Sequence, residues 1–380
     1  MPIYLRMVLE IFNIYQKAVL LVLLPFYRKK GSKVFVGCRD VANNLKFTKD
    51  VFGPEAVTVS KGRHLFYDYI PDIRFPFYAH NGYLHELFKT IIAPFVLLYC
   101  ISVCHIFIYF WNEAILLDRS FEYRMLKKKN KIIVVRYIGC DIRHWEPAFQ
   151  ELEDKGIFHV CGLCEDAFSE RCNKKIKQKT AEESDKYADL IFSNVGMPSF
   201  SKREYKTTAI PLDLSDYEYS FTYNSVPQIV HAPSNPTLKG TAIVRLAIKR
   251  LEQEGYKFNY IEITNKRNKD VLRELVKSQI AIDQLGGCGT SLFALEAMAC
   301  GNVVLGAANI EKNPIIPKEC PIIQIDPLKI FEVLKKTLDN PEKWRYLAEK
   351  GREYVEKYHD KEIVGSQLKH YISEISNSPP

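Results

Sequence analysis

The sequence predicts an α/β protein of two Rossmann-like domains facing a cleft, with C-terminal helices. Three observations lead there. A strand-then-helix rhythm runs along the chain twice, interrupted by a polar, Tyr-rich connector that ends near residue 225. The strand segments are near-continuous apolar runs, the pattern of strands covered by helices on both faces of a parallel sheet. The 380 residues, at roughly 150 per domain, make two or three domains. With 47% hydrophobic and 26% charged residues, disorder and coiled coil are poor readings.

Residues 7–26 are apolar and end in Tyr27-Arg28-Lys29-Lys30. Glu10, Asn13 and Lys17 fall three and four apart, so a helix gathers them on one face. A polar stripe on an apolar helix with a basic exit suits a helix lying in the cytoplasmic interface of a membrane. Residues 1–30 are therefore read as a membrane-interface helix with a basic exit, and the chain as peripheral at the inner face of the membrane. A signal anchor, or packing on the protein itself, are the other readings. A signal peptide is disfavoured because no small-x-small pattern precedes the basic cluster.

A first domain, 31–215, follows. Residues 33–37 read as a strand and 40–50 as its helix. Residues 91–111 carry no charge and are long enough to span a bilayer. They contain Pro94, Ser102 and His105, however, and turn β-rich in their second half. The run divides into a helix at about 84–100 and a buried strand at 103–110. Residues 131–137 form a strand, 182–189 a helix and 190–193 a strand.

The second domain, 226–360, repeats the rhythm: strands at 227–231, 258–263, 280–283 and 302–305, helices at 240–254, 269–278 and 290–300. From 326 the chain is helical to near 375, broken at Asn340-Pro341 and His359-Asp360.

Ten cysteines, mostly in apolar company, suit buried free thiols in a reducing compartment. His159, Cys161, Cys164 and Cys172 have ligand types for zinc, but four ligands within fourteen residues is tight, and free thiols are the preferred reading. The net charge of +8 has both signs interspersed and no nucleic-acid reader motif accompanies it. It suits an acidic membrane or a phosphorylated ligand, and nucleic acid is not an expected partner.

Three features lie at the carboxyl ends of the second set of strands, where open α/β sheets bind ligands. Residues 231–241 (His-Ala-Pro-Ser-Asn-Pro-Thr-Leu-Lys-Gly-Thr) run from a strand into a helix. Lys239 at that helix start adds a point charge to free backbone N–H groups, which suits a phosphate. Residues 283–291 (Asp-Gln-Leu-Gly-Gly-Cys-Gly-Thr-Ser) join a strand to the next helix. Their glycines let the backbone approach a ligand, and a helix N-terminus with Thr290 and Ser291 points N–H groups at an anion. A tight turn with an N-cap is the plainer alternative. Glu296 is a single carboxylate in an otherwise apolar helix, and a buried acid needs a partner, either a ribose hydroxyl pair or an internal group. Together these parts describe a diphosphate-and-ribose cradle. No Asp-x-Asp occurs in the chain, so lysine, N–H groups and helix dipoles are expected to balance the diphosphate, with no metal.

Lys239-Gly240-Thr241, the Asp283-Gln284 loop and residues 294–301 (Ala-Leu-Glu-Ala-Met-Ala-Cys-Gly) resemble the donor domain of GT-B glycosyltransferases, in the group 1/family 4-like branch. Gly139-Cys140-Asp141-Ile142-Arg143 resembles that branch's Gly-Ser-Asp-x-Arg segment, and residues 37–44 its first-strand loop. The resemblance implies a catalytic set of Asp141, Lys239 and Glu296, with Glu296 on the ribose and Lys239 on the diphosphate. It implies a substrate-binding set of Gly37, Arg143, Ser234, Asn235, Gly240, Gly287, Thr290 and Ser291. It also implies retention of anomeric configuration and a C-terminal helix, 361–380, returning toward the N-terminal domain. The branch's earlier glutamate, its arginine before the lysine and its histidine before the Gly-x-Asp segment are Cys288, Ser234 and Ile138 here.

The expected activity is that of a hexosyltransferase-like glycosyltransferase. It would move a sugar from a sugar nucleotide, its co-substrate with no further cofactor, to a glycan or lipid-linked acceptor in surface polysaccharide assembly. A GT-B sugar-nucleotide epimerase and a non-catalytic sugar-nucleotide-binding subunit are the alternatives.

Overall fold

The computed structural model describes residues 3–377 except 63, 76–81, 112, 159–160, 162–163, 165–171, 195–196, 198 and 288. By contact the chain divides into two compact units, one of Met1–Ile142, Lys174–Thr208 and Gly365–Pro380, the other of Arg143–Asn173 and Ala209–Val364. Residues 143–173 thus group with the second unit, and the end of the chain with the first.

The first unit contains α1 (Ile3–Leu23), β1 (Lys33–Cys38), α2 (Asn44–Phe52), β2 (Ala56–Ser60), β3 (Ile73–Arg74), α3 (Gly82–Val103), β4 (Cys104–Phe110), α4 (Arg119–Lys128) and β5 (Ile132–Arg136). After α5 (Trp145–Asp154), which belongs to the second unit, it resumes with α6 (Lys174–Tyr187) and β6 (Leu190–Phe192). All strand pairs are parallel, in the order β3-β2-β1-β4-β5-β6. The order reverses between β1 and β4, so loops at the carboxyl ends of those two strands flank a natural ligand position. In the core, the Phe35 ring stacks on Phe107 at 5.1 Å and meets Tyr109 at 5.2 Å. The buried Glu122 carboxylate accepts bonds from Tyr109 Oη and from the N–H groups of Ile115 and Leu116, which secures the loop after β4.

The long apolar run does divide into a helix and a buried strand. α3 contains Pro94 and gives way at Val103 to β4, an interior strand of the sheet. The polar stripe of α1 divides between the protein and solvent. Gln16 and Lys17 are bonded to the protein, Gln16 donating to Thr90 O and accepting from Leu117 N–H, both at 2.9 Å, and Lys17 pairing with Asp118 at 2.6 Å, while Glu10 is exposed. The exposed side of the helix carries Met7, Ile11, Ile14 and Leu21 together with Arg6 and Glu10 near its start.

The second unit contains, after α5, β7 (Gln228–His231), the short α7 (Pro236–Lys239), α8 (Thr241–Gln253), β8 (Asn259–Glu262), α9 (Asn268–Lys277), β9 (Ile280–Ile282), α10 (Leu292–Cys300), β10 (Val303–Gly306), β11 (Ile323–Gln324), α11 (Ile330–Leu338) and α12 (Trp344–Tyr358). The last helix, α13 (Lys361–Asn377), places Leu368 and Ile372 in the first unit's core. The second sheet is also parallel, ordered β11-β10-β9-β7-β8, and reverses between β7 and β9. Its core gathers Ile229, Ile280, Ile282 and Leu305 with Val244 and Leu251 of α8, and Phe331 and Trp344 are buried in the same cluster.

Candidate functional site

In the second unit the loops after β7 and β9 are joined directly. His231 ends β7 opposite Ile282 of β9. Its Nδ1 lies 2.8 Å from the Ile282 carbonyl, which can only accept, so Nδ1 carries the proton and Nε2 accepts from the Thr241 hydroxyl at 3.0 Å. Burial holds this imidazole below its ordinary pKa. One neutral ring thereby ties both strands to the start of α8.

Between them, Asn235 caps α7, its Oδ1 accepting from Leu238 N–H at 3.0 Å. Ser234 is exposed beside it. Gly240, with φ of 74°, closes α7 and opens α8, and a Cβ there would stand 3.0 Å from Leu285. A side chain at 240 would therefore push the two loops apart.

Lys239 is the last residue of α7, not the first of the long helix. Its Nζ lies 3.1 Å from Asp283 Oδ1 and 2.9 Å from Gln284 Oε1. The side chain is 18% exposed and that of Asp283 4%. The lysine is held at the sheet's reversal point, pointing at the β9 loop, with its charge shared with Asp283, which no motif marks as its partner.

The 283–291 loop needs glycine at 287, where φ is 116°. Gly287 donates its N–H to the Phe158 carbonyl, and its own carbonyl accepts from Asn309 Nδ2 at 2.6 Å. Ser291 caps α10, its Oγ accepting from Ala294 N–H, as the plainer reading has it. Thr290 is half-buried next to it. Cys288, where the branch carries its earlier glutamate, lies outside the described residues.

Glu296, in α10, is 2% exposed. Both its oxygens accept from Asn268 Nδ2 of α9, at 3.0 and 3.1 Å, and burial pushes its pKa up to about 8. At neutral pH it is mostly the neutral acid, able to donate as well as accept. The partner such an acid needs is present as an internal amide. Glu296 and Lys239 share no hydrogen bond or ion pair; each is anchored to its own neighbour.

Beside this loop pair, at the carboxyl ends of β10 and β11, a pocket of about 870 Å³ is lined by Phe158, Leu285, Asn309, Lys312, Lys318 and Asp326 among others. Lys312 donates to the Gly156 carbonyl at 2.7 Å, and Gln324 Oε1 accepts from Asn309 N–H at 2.6 Å, so the walls are braced. These residues went unnoticed in the sequence because no motif marks them. Their one signal is position after an apolar strand.

The first unit places Asp141 in the turn after β5. It is buried and accepts from the N–H groups of Gly139 at 2.8 Å and Ile138 at 3.2 Å, and burial raises its pKa to about 6. Lys177 donates to the Cys140 carbonyl from α6. Gly37 sits within β1, where a Cβ would come 2.8 Å from the Val59 carbonyl, so packing alone demands glycine. Arg143, half-buried, begins the second unit. Of the cysteine group, His159 lies outside the described residues. Cys172 Sγ accepts from Trp145 N–H, and Cys161, Cys164 and Cys172 are free thiols.

No family model matches this sequence, and no curated protein matches it by sequence. Solved structures do. HepE of Anabaena, crystallised with UDP-glucose, is 10% identical with a TM-score of 0.58, covering 91% of this chain and 100% of its own. Sucrose-phosphate synthase of Thermosynechococcus elongatus is 14% identical with a TM-score of 0.61, over 92% of this chain and 100% of its own. WaaG, a glycosyltransferase involved in lipopolysaccharide biosynthesis, is 15% identical with a TM-score of 0.51, over 88% and 98%. The chain has the GT-B fold.

Proposed function

From this fold and site we propose that the protein is a glycosyltransferase that moves a sugar from a sugar nucleotide to a glycan or lipid-linked acceptor in surface polysaccharide assembly. The observation that carries the reading is the joined loop pair after β7 and β9, with Lys239 pointed at the β9 loop beside the pocket at the ends of β10 and β11.

In this reading the diphosphate of the sugar nucleotide lies along the 283–291 loop. As the acceptor hydroxyl oxygen bonds to the anomeric carbon, the bond from that carbon to the phosphate oxygen breaks, the nucleoside diphosphate leaves with the electron pair, and the acceptor's proton passes to that leaving phosphate oxygen. The developing charge is met by Lys239, by loop N–H groups and by the positive end of α10, with no metal ion required. Glu296, as a neutral acid, exchanges part of its bonding with Asn268 for a ribose hydroxyl. Asp141 is bonded to its own turn and shapes the acceptor-side loop without taking the acceptor's proton. Retention of configuration and a position at the cytoplasmic face of the membrane belong to the same proposal.

A second reading, a non-catalytic sugar-nucleotide-binding subunit, draws on the Lys239–Asp283 pair, which leaves less charge for a leaving group. One experiment separates the two: the purified chain is mixed with a panel of sugar nucleotides and lipid-linked acceptor, and nucleoside diphosphate release is measured. Acceptor-dependent release supports the transferase. Nucleotide binding without release across the panel supports the subunit, and normal turnover in both Lys239→Ala and Glu296→Gln refutes the assigned site.

A further inference from the structure

We propose that α1 and α3 together form a monotopic platform seating the protein in the interface of an anionic membrane. This inference rests on, and deepens, the membrane position proposed above. The two helices pack against each other, and Tyr15 Oη and Gln16 Nε2 of α1 bond to the carbonyls of Ile91 and Thr90 in α3. Each turns an apolar stripe outward. On α1 it is Met7, Ile11, Ile14 and Leu21, with Ile14 66% exposed. On α3 it is Phe88, Ile91, Phe95 and Tyr99, spaced three and four residues apart, with Phe95 49% exposed.

In a helix on a water-facing surface the polar residues point out. Here Gln16 and Lys17 are spent inward, and beyond Arg6 and Glu10 in the first turns the exposed side keeps the apolar ones. An apolar patch of this extent marks an interaction surface.

Charge identifies the occupant. The pair ends at the basic segment, where Lys30 N–H bonds to the Ser102 carbonyl. Lys129 and Lys131 lie over the Tyr27 ring at 4.9 and 5.5 Å. Among the described residues Arg28, Lys29, Lys30 and Lys129 have no carboxylate partner. Such a cluster beside an apolar face complements anionic headgroups and repels a second copy of itself.

Both helices are long and apolar enough to cross a bilayer. Withdrawing α1 as a span would break the Gln16 and Lys17 bonds, and α3 continues without interruption into the interior strand β4. They lie in the interface.

The test is flotation of the full chain with phosphatidylcholine vesicles, with and without phosphatidylglycerol, no donor or acceptor present. The wild type should float with anionic vesicles and weakly with neutral ones. Lys29→Glu with Lys30→Glu should lower binding about tenfold or more at low salt. Ile14→Glu with Phe95→Glu should abolish it. Both exposed-site variants should keep the wild-type thermal shift with nucleotide, which separates this proposal from the catalytic one. Lack of flotation in a chain that binds nucleotide overturns the platform alone. So does flotation of Ile14→Glu/Phe95→Glu equal to wild type, or a wild-type dimer that this variant turns into a monomer.

Discussion

The ammonium of Lys239 lies 3.1 Å from the carboxylate of Asp283, across the reversal point between β7 and β9. The cation offered to a diphosphate is therefore already half of an ion pair, with Gln284 as its third member. A nearly buried acid with an orienting amide fixes the lysine's direction but reduces its field, so backbone N–H groups must carry a larger share of any phosphate binding.

Removing Lys239 should reveal both roles. Lys239→Ala leaves Asp283 buried without its partner and should cost about 3 kcal/mol of stability. Adding Asp283→Asn should recover much of that loss in a denaturant titration. Nucleotide affinity should stay low in both; recovery of affinity in the double variant would make the lysine purely structural.

Glu296 should make the fold sensitive to base. Its pKa is about 8 in the folded chain against 4.5 ordinarily, so the folded state holds a proton that the unfolded state has lost. Stability from this group is complete below about pH 4.5 and is lost as pH rises through about 8. Glu296→Gln keeps an acceptor for Asn268 and cannot ionise. Its melting temperature relative to wild type should rise between pH 5 and about 9, and a flat difference would contradict the burial argument.

His359 should act at the acid end. It is buried, its Nδ1 donates to the Ile210 carbonyl at 3.1 Å, and burial lowers its pKa to about 4. The unfolded state takes up a proton first, so this contribution is present above about pH 6.5 and lost as pH falls toward 4. His359→Gln should flatten the acid limb of a melting-temperature profile over that window.

Asn235 and Ser291 are helix caps in this structure. Replacing either with Ala should cost about 1 kcal/mol, read by chemical denaturation. The KM for donor should change little in each. A large KM rise with unchanged stability would instead place the side chain on the substrate.

Much of the fold was legible. The split of the 91–111 run was readable because Pro94 sits in its first half and β-branched and aromatic residues crowd its second. β2 was not read, since Thr58 and Ser60 look like exposed polar positions. Both are buried because Thr58 Oγ1 bonds to Asp72, fourteen residues on, and Ser60 Oγ to Gly62 O. The stripe of α1 misled for a similar reason: periodicity places Asn13 and Lys17 on one face without saying whether that face meets water or a partner such as Asp118.

By itself the sequence determined the strand–helix rhythm, the caps and the presence of Lys239 and Glu296, because such features depend on residues within a turn or two of each other. Only the tertiary structure decided what those two side chains touch. Asp283 is 44 residues from Lys239, and Asn268 is 28 from Glu296. Which acid or amide arrives depends on β7 lying beside β9 and α9 beside α10, and charge and hydrogen bonding act across that distance only once the sheet is assembled.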